Sequence, residues 1–119
     1  MKKNTCVMVV DDEPTVLRLL DRTLKPAGYD VVLASDGNLA LKLLEQHSPD
    51  LVILDLMMPE KDGFSIFNTI RQISPYSRII IYTGYGEHQD SVYARAADRF
   101  LVKGKSMEEL VNAVEELSL

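Results

Sequence analysis

Short apolar runs alternate along this chain with longer segments in which apolar residues recur every three or four positions, and this alternation restricts the fold more than any other feature. Strand-length runs occupy residues 5–10, 30–34, 51–54, 78–82 and 99–102. Between them lie helical stripes: Val16, Leu20 and Leu24; Ala40 and Leu44; Phe67, Ile70 and Ile73; Leu110, Val114 and Leu117. Nearly continuous apolar strands need cover on both faces, and a helix in each connection supplies it. The pattern therefore predicts βαβ units around a parallel sheet, an α/β architecture. No repeat, low-complexity tract or linker breaks it, and 119 residues suffice to bury about two-thirds of the unfolded surface. A single domain over residues 1–119 is expected.

Local signals agree with this reading. Ala27-Gly28 is expected to end the first helix, and Ser106 followed by Glu109 has the capping-box spacing ahead of the last. Cys6 opens the first apolar run and has no second cysteine to pair with, so it reads as a small core residue. Residues 87–95 are the exception. With His88, Gln89, Asp90, Ser91 and Arg95, they leave only Val92, Tyr93 and Ala94 as anchors, which fits either a moving part or an ordinary solvated helix.

Charge and hydropathy then exclude several functions. A net charge of -5 lacks the clustered cations that neutralise phosphates, so this domain is not expected to bind nucleic acid directly. The apolar stretch after Met1-Lys2-Lys3 is too short for a signal peptide and no run is long enough to span a membrane, which implies a cytoplasmic location.

Chemistry concentrates where the apolar runs end. Asp11 and Asp12 follow residues 7–10, Asp55 follows 51–54, Thr83 follows 79–82 and Lys103 follows 100–102. In a parallel sheet those ends share one edge, so three carboxylates, a hydroxyl and an ammonium converge there. Two carboxylates about 4 Å apart repel by roughly 4 kcal/mol at an effective dielectric near 20, and a divalent cation relieves that repulsion. Oxygen donors at this density suit Mg²⁺, which keeps several waters and takes one or two protein carboxylates. Taken alone, Asp11-Asp12 ahead of Glu13-Pro14 also fits a helix start, a threonine ending a strand is commonly structural, and a lysine there is commonly solvated. Asp55 has no such capping role. Beside a cation its carboxylate can attack phosphorus to give an aspartyl phosphate, with Thr83 and Lys103 facing the other phosphoryl oxygens.

These motifs are Val9-Val10-Asp11-Asp12-Glu13-Pro14, Ala34-Ser35-Asp36-Gly37 with Ala40-Leu41, the run from Asp50 to Asp55 continuing through Leu56-Met57-Met58-Pro59 with Asp62-Gly63, Thr83-Gly84, and Phe100-Leu101-Val102-Lys103. Over nearly its whole length the chain resembles the receiver domain of two-component response regulators. The resemblance implies a flavodoxin-like (βα)5 doubly wound five-stranded parallel sheet in strand order 2-1-3-4-5. It also implies that Asp55 accepts a phosphoryl group from a sensor histidine kinase or histidine phosphotransfer protein. Asp12, Asp55 and the Met57 backbone carbonyl would ligate Mg²⁺, with Asp11 acting through a coordinated water. Thr83 and Lys103 would contact phosphoryl oxygens together with backbone amides of Met57 and Gly84, and Phe100 fills the aromatic switch position. Phosphorylation would then bias the surface of residues 87–117 toward a downstream output domain or protein, or toward a homodimer through that face. Such a chain is a signalling acceptor rather than an enzyme acting on other substrates. Met57 and Tyr85 would flank the phosphoryl group and hinder water.

Two positions depart from the family pattern. Gly104 stands where a proline with a cis bond commonly follows the lysine, and a trans bond is expected here. Ala96-Ala97-Asp98 stands where a glycine often closes the fourth helix. Competing readings fit less well. A haloacid dehalogenase-type aspartyl phosphatase requires an acid two residues after the nucleophile, where Met57 stands, and a flavodoxin-type FMN binder would have its phosphate repelled by Asp11-Asp12-Glu13. A phosphorylation-independent interaction module remains the third alternative, opposed by the complete residue set. His47 and His88 lack a partner set for a transition metal and read as solvated.

Overall fold

Five parallel strands, β1 (Cys6–Val10), β2 (Asp30–Ala34), β3 (Leu51–Leu54), β4 (Arg78–Thr83) and β5 (Arg99–Val102), form one sheet in the order β2-β1-β3-β4-β5. Each connection carries a helix: α1 (Pro14–Leu24), α2 (Gly37–His47), α3 (Gly63–Ile73) and α4 (Val92–Ala96), with α5 (Met107–Leu117) after the last strand. The computed structural model describes residues 4–58, 63–84, 92–104 and 107–118. The expected (βα)5 order and all five expected strands are present. Register matches Val10 with Leu54, Ile81 with Phe100 and Thr83 with Val102, so the strand ends stand side by side. The first connection runs outward to β2 and the second returns to β3, which opens a crevice at the C-terminal ends of β1 and β3.

Alternation along each strand divides the core into two layers. Met8, Val10, Val52, Leu54, Ile79 and Ile81 face α2 and α3, meeting Ala40, Leu44, Ile66, Phe67 and Ile70. Val7, Val9, Leu51, Ile53, Ile80 and Tyr82 face α1 and α5, meeting Leu20, Leu24, Leu110 and Val114. Central strands β1 and β3 are buried throughout, whereas edge strands β2 and β5 are partly open. Cys6 is buried as expected. Ile73 departs from its expected place in the α3 stripe: Ile66, Phe67 and Ile70 complete the buried face, and Ile73 in the last turn is 46% exposed.

Helix ends explain how the chain reaches the site. Asp36 caps α2 by accepting the Leu39 N–H at 2.8 Å. Helix α1 ends at Leu24, earlier than Ala27-Gly28 suggested, and the intervening turn is closed by Gly28 N–H to Lys25 carbonyl and Tyr29 N–H to Leu24 carbonyl bonds. Gly28 takes φ 100°, the left-handed conformation that this closure requires. No glycine ends α4; instead Arg71 of α3 donates to the Ala96 carbonyl at 3.0 Å and to the Ser77 carbonyl at 2.9 Å. Its guanidinium also lies 5.4 Å from the centre of the Phe67 ring. Asp98, 3.4 Å from Arg71, accepts the Ile79 N–H at 2.8 Å and so ties the α4–β5 turn to β4. The capping-box residue Ser106 and residues 87–91 lie outside the described residues.

Candidate functional site

Each candidate side chain projects from a strand end that the sheet itself fixes. The Asp11 N–H bonds to the Ala34 carbonyl at 3.1 Å, the Asp55 N–H to the Val10 carbonyl at 3.0 Å, and the Lys103 N–H to the Thr83 carbonyl at 2.7 Å. Three residues beyond the regular strands are thereby held by one more rung of hydrogen bonds. Their side chains turn in on a common point. Lys103 Nζ lies 2.7 Å from Asp11 Oδ2, 3.1 Å from Asp55 Oδ2 and 2.8 Å from Glu13 Oε1. The second carboxylate oxygens are held by backbone amides: Asp11 Oδ1 accepts the Glu13 N–H at 2.9 Å and Asp55 Oδ1 accepts the Met57 N–H at 3.0 Å.

Asp12 completes the set from a half-buried position, and one oxygen from each of Asp11, Asp12 and Asp55 lies within 4.8 Å of the others. Octahedral ligands at about 2.0–2.1 Å from Mg²⁺ stand roughly 3–4.2 Å apart, so these oxygens fit a shared hard cation after small adjustments. Asp12, Glu13, Asp55, Met57, Gly84 and Lys103 line an open cleft of about 500 Å³ over the same edge. A larger cleft, about 670 Å³, lies at the opposite edge of the sheet beside Ser48, Pro49 and Tyr76, away from these groups. It lies between loops, and the clustered carboxylates and Lys103 border the smaller cleft.

Burial and charge act against each other here. Burial raises the Asp11 carboxyl above the usual carboxylate range, and the bonds from Lys103 and the Glu13 amide pull it partly back. Burial alone would lower the Lys103 ammonium, but its bonds to Asp11, Glu13 and Asp55 outweigh this and leave it above an ordinary lysine. The lysine is therefore a fixed cation at any physiological pH.

Thr83, at the end of β4, is wholly buried, and its hydroxyl has no hydrogen-bond partner among the described residues. An unsatisfied buried hydroxyl costs about 1–3 kcal/mol, which an incoming acceptor would recover. Phe100 is half-buried beside Tyr93 and Ala97 on the α3 side of the sheet. Because Ile81 pairs with Phe100, Thr83 lies two residues farther along the same face. Met57 is 43% exposed at the mouth of the cleft, while Tyr85 lies outside the described residues. The Lys103–Gly104 bond is trans, and Gly104 takes φ 88°, a conformation that a proline ring cannot adopt. His47 is exposed, and His88 lies outside the described residues.

Asp11, Asp12, Asp55 and Lys103 thus meet as the strand ends suggested, with Thr83 and Gly84 on the adjoining strand end. Glu13 was missed as a site residue. The sequence marked it as a helix-start acid, yet at the N-cap of α1 it makes no side-chain cap bond and reaches Lys103 instead. The contiguous Asp-Asp-Glu run was the available signal.

Residues 7–115 match the response regulator receiver domain family. The alkaline phosphatase synthesis transcriptional regulatory protein PhoP of Bacillus subtilis is 40% identical over 112 residues, which cover 92% of this chain and 46% of that protein. The transcriptional regulatory protein GlrR of Escherichia coli is 37% identical over 112 residues, 92% of this chain and 25% of its own length. The chain therefore spans half or less of the curated relatives it matches. Among solved structures, response regulator protein TrrA from Thermotoga maritima, in complex with Mg²⁺-BeF, superposes with a TM-score of 0.88 at 35% identity, covering 95% of this chain and 98% of that one. The Francisella response regulator 1452 receiver domain gives 0.86 at 28% identity, with 97% of each chain covered.

Proposed function

This chain belongs to the response regulator receiver domain family, and on that footing we propose that it is a phosphorylation-activated signalling receiver, one unit over residues 1–119, whose phosphoacceptor is Asp55. The observation that carries this reading is the buried carboxylate of Asp55 facing Asp11, Asp12 and a cationic lysine in one open cleft. The Met57 amide fixes one Asp55 oxygen and the Lys103 ammonium holds the other, so the carboxylate presents a set direction to an incoming phosphorus atom. Asp12, Asp55 and the Met57 carbonyl would hold Mg²⁺, with Asp11 acting through water, and the ion would neutralise charge on the transferring group. Lys103 pairs with one phosphoryl oxygen as it comes to rest on Asp55, while the Met57 and Gly84 amides border the others.

Phosphorylation adds about -1.5 to -2 of charge and new acceptor oxygens at this edge. The Thr83 hydroxyl, without a partner among the described residues, gains one by moving toward the cleft, which frees space on the face shared with Phe100. That shift favours a second, pre-existing arrangement of the 87–117 surface, which an output domain, an output protein or a second copy reads. The phosphodonor is a histidine kinase or phosphotransfer protein in the cytoplasm. No helix among the described residues is long and apolar enough to cross a membrane. Incubation with Mg²⁺ and acetyl phosphate should add one phosphoryl group by intact mass, absent from Asp55→Asn. A protein that stays unmodified, or an Asp55→Asn variant modified equally, refutes the assignment.

A further inference from the structure

Glu13 occupies a place that its position in the fold does not require. It is the N-cap of α1, immediately before Pro14, with extended backbone and with its own N–H held by Asp11 at 2.9 Å. Glutamate is not among the side chains that ordinarily cap a helix from this position, and Glu13 makes no cap bond, so its carboxylate is free of a local role. Its carboxylate instead spans to the end of β5 and meets Lys103 Nζ at 2.8 Å. The other two residues that Lys103 touches, Asp11 and Asp55, belong to the group of carboxylates suited to a divalent cation, and Glu13 does not.

Lys103 and a cation in that group therefore compete for the same two carboxylates, Asp55 directly and Asp11 through the cation's water. When the cation enters, two of the three contacts of the ammonium are contested and the Glu13 contact is not. We propose that Glu13 is a positioning residue which retains the Lys103 ammonium at the rim of the cleft while Mg²⁺ is held by Asp12 and Asp55 directly and by Asp11 through a water. The lysine thereby remains beside Asp55 for the phosphoryl group without blocking the metal. This inference rests on the receiver reading above. A neutral side chain at position 13 leaves the ammonium with only the contested carboxylates, and Lys103 then opposes metal binding more strongly.

The test is a double-substitution cycle read by calorimetric titration of the purified protein with MgCl2, without phosphodonor. Glu13→Gln should weaken Mg²⁺ binding about five-fold when Lys103 is present, and by less than about two-fold in a Lys103→Met background. The smaller factor measures the general loss of one negative charge near the cation, which acts in both backgrounds. Glu13→Asp, one methylene shorter but still anionic, should recover part of the loss. At saturating Mg²⁺, Glu13→Gln should also slow phosphorylation by acetyl phosphate. Equal weakening in both backgrounds, or none in either, overturns the positioning role and leaves the receiver reading intact. Absence of Mg²⁺ binding by the unsubstituted protein overturns both.

Discussion

In metal-free solution, Lys103→Met should destabilise the fold by about 3 kcal/mol, at the low end of the roughly 3–5 kcal/mol lost when one member of a buried ion pair is deleted. The three contacts of the ammonium are unequal. Glu13 is 54% exposed, and so accessible a pair contributes at most about 1 kcal/mol. Asp11 and Asp55 are 2% and 4% exposed, and removing the cation leaves both facing each other without a counter-charge. The lower end applies because the cleft is open to water, which screens the two carboxylates from each other. Methionine keeps the apolar stem, so little packing is lost. With a urea slope of about 1.5 kcal/mol/M, the midpoint should fall by about 2 M. The chain has no tryptophan, so far-UV circular dichroism is the suitable signal. Mg²⁺ should then stabilise the variant more than the parent, because it supplies the missing charge and no longer competes with an ammonium. A variant as stable as its parent in the presence of chelator, or one that gains no more from Mg²⁺, refutes this electrostatic account of the cleft.

Thr83→Val keeps the shape but removes a hydroxyl that has no partner among the described residues, and should stabilise the unphosphorylated protein by about 1 kcal/mol while abolishing the phosphorylation-dependent change in Phe100 aromatic resonances. Unchanged Phe100 behaviour would disconnect the two residues. Arg71→Met should cost about 1.5–3 kcal/mol and lower hydrogen-exchange protection across residues 92–99, because Ser77, Ala96 and Asp98 lose their shared donor. Replacing Met57 and Tyr85 together by small polar residues should speed aspartyl phosphate hydrolysis, by roughly ten-fold if they contribute about 1.4 kcal/mol of barrier; a slower rate would contradict the shielding role. The raised Lys103 pKa gives stability that is complete below the ordinary value of 10.5 and is lost as pH rises through the higher folded value. The stability gap between parent and Lys103→Met should therefore hold steady from neutrality to about pH 10 and narrow above it, as denaturation curves across that range would report.

Strand-length apolar runs made the sheet legible because parallel strands buried on both faces carry almost no polar residues, as Val7, Val9, Val52 and Ile53 illustrate. The site was legible for the same reason: Asp11, Asp55 and Lys103 stand out where such runs stop. Contacts between distant polar residues were not. Arg71 with Ala96 and Asp98, and Glu13 with Lys103, depend on how α3, the α4–β5 turn and the ends of β1 and β5 sit in space. No spacing rule encodes them. Ile73 was misread because it keeps the helical face of Ile66, seven residues earlier, but stands in the last turn of α3, where it lines the open cleft at the other edge of the sheet instead of packing on a strand. The early end of α1 was marked in the sequence by Pro26, which has no N–H to continue the helix, whereas Gly28 marks the turn that follows.

The ends of β1, β3, β4 and β5 form one cleft, in which a cation and a phosphoryl group are expected to bind as a unit against Asp55. Two-dimensional amide NMR during titration with Mg²⁺ and beryllofluoride, a phosphoryl mimic, tests it without a donor protein. Mg²⁺ alone should shift Asp55, Met57 and Lys103, and further saturable shifts at these residues and Gly84, extending to Thr83 and Phe100, should require both additions. Shifts that appear with beryllofluoride alone, or that spare Asp55 and Lys103, would contradict it.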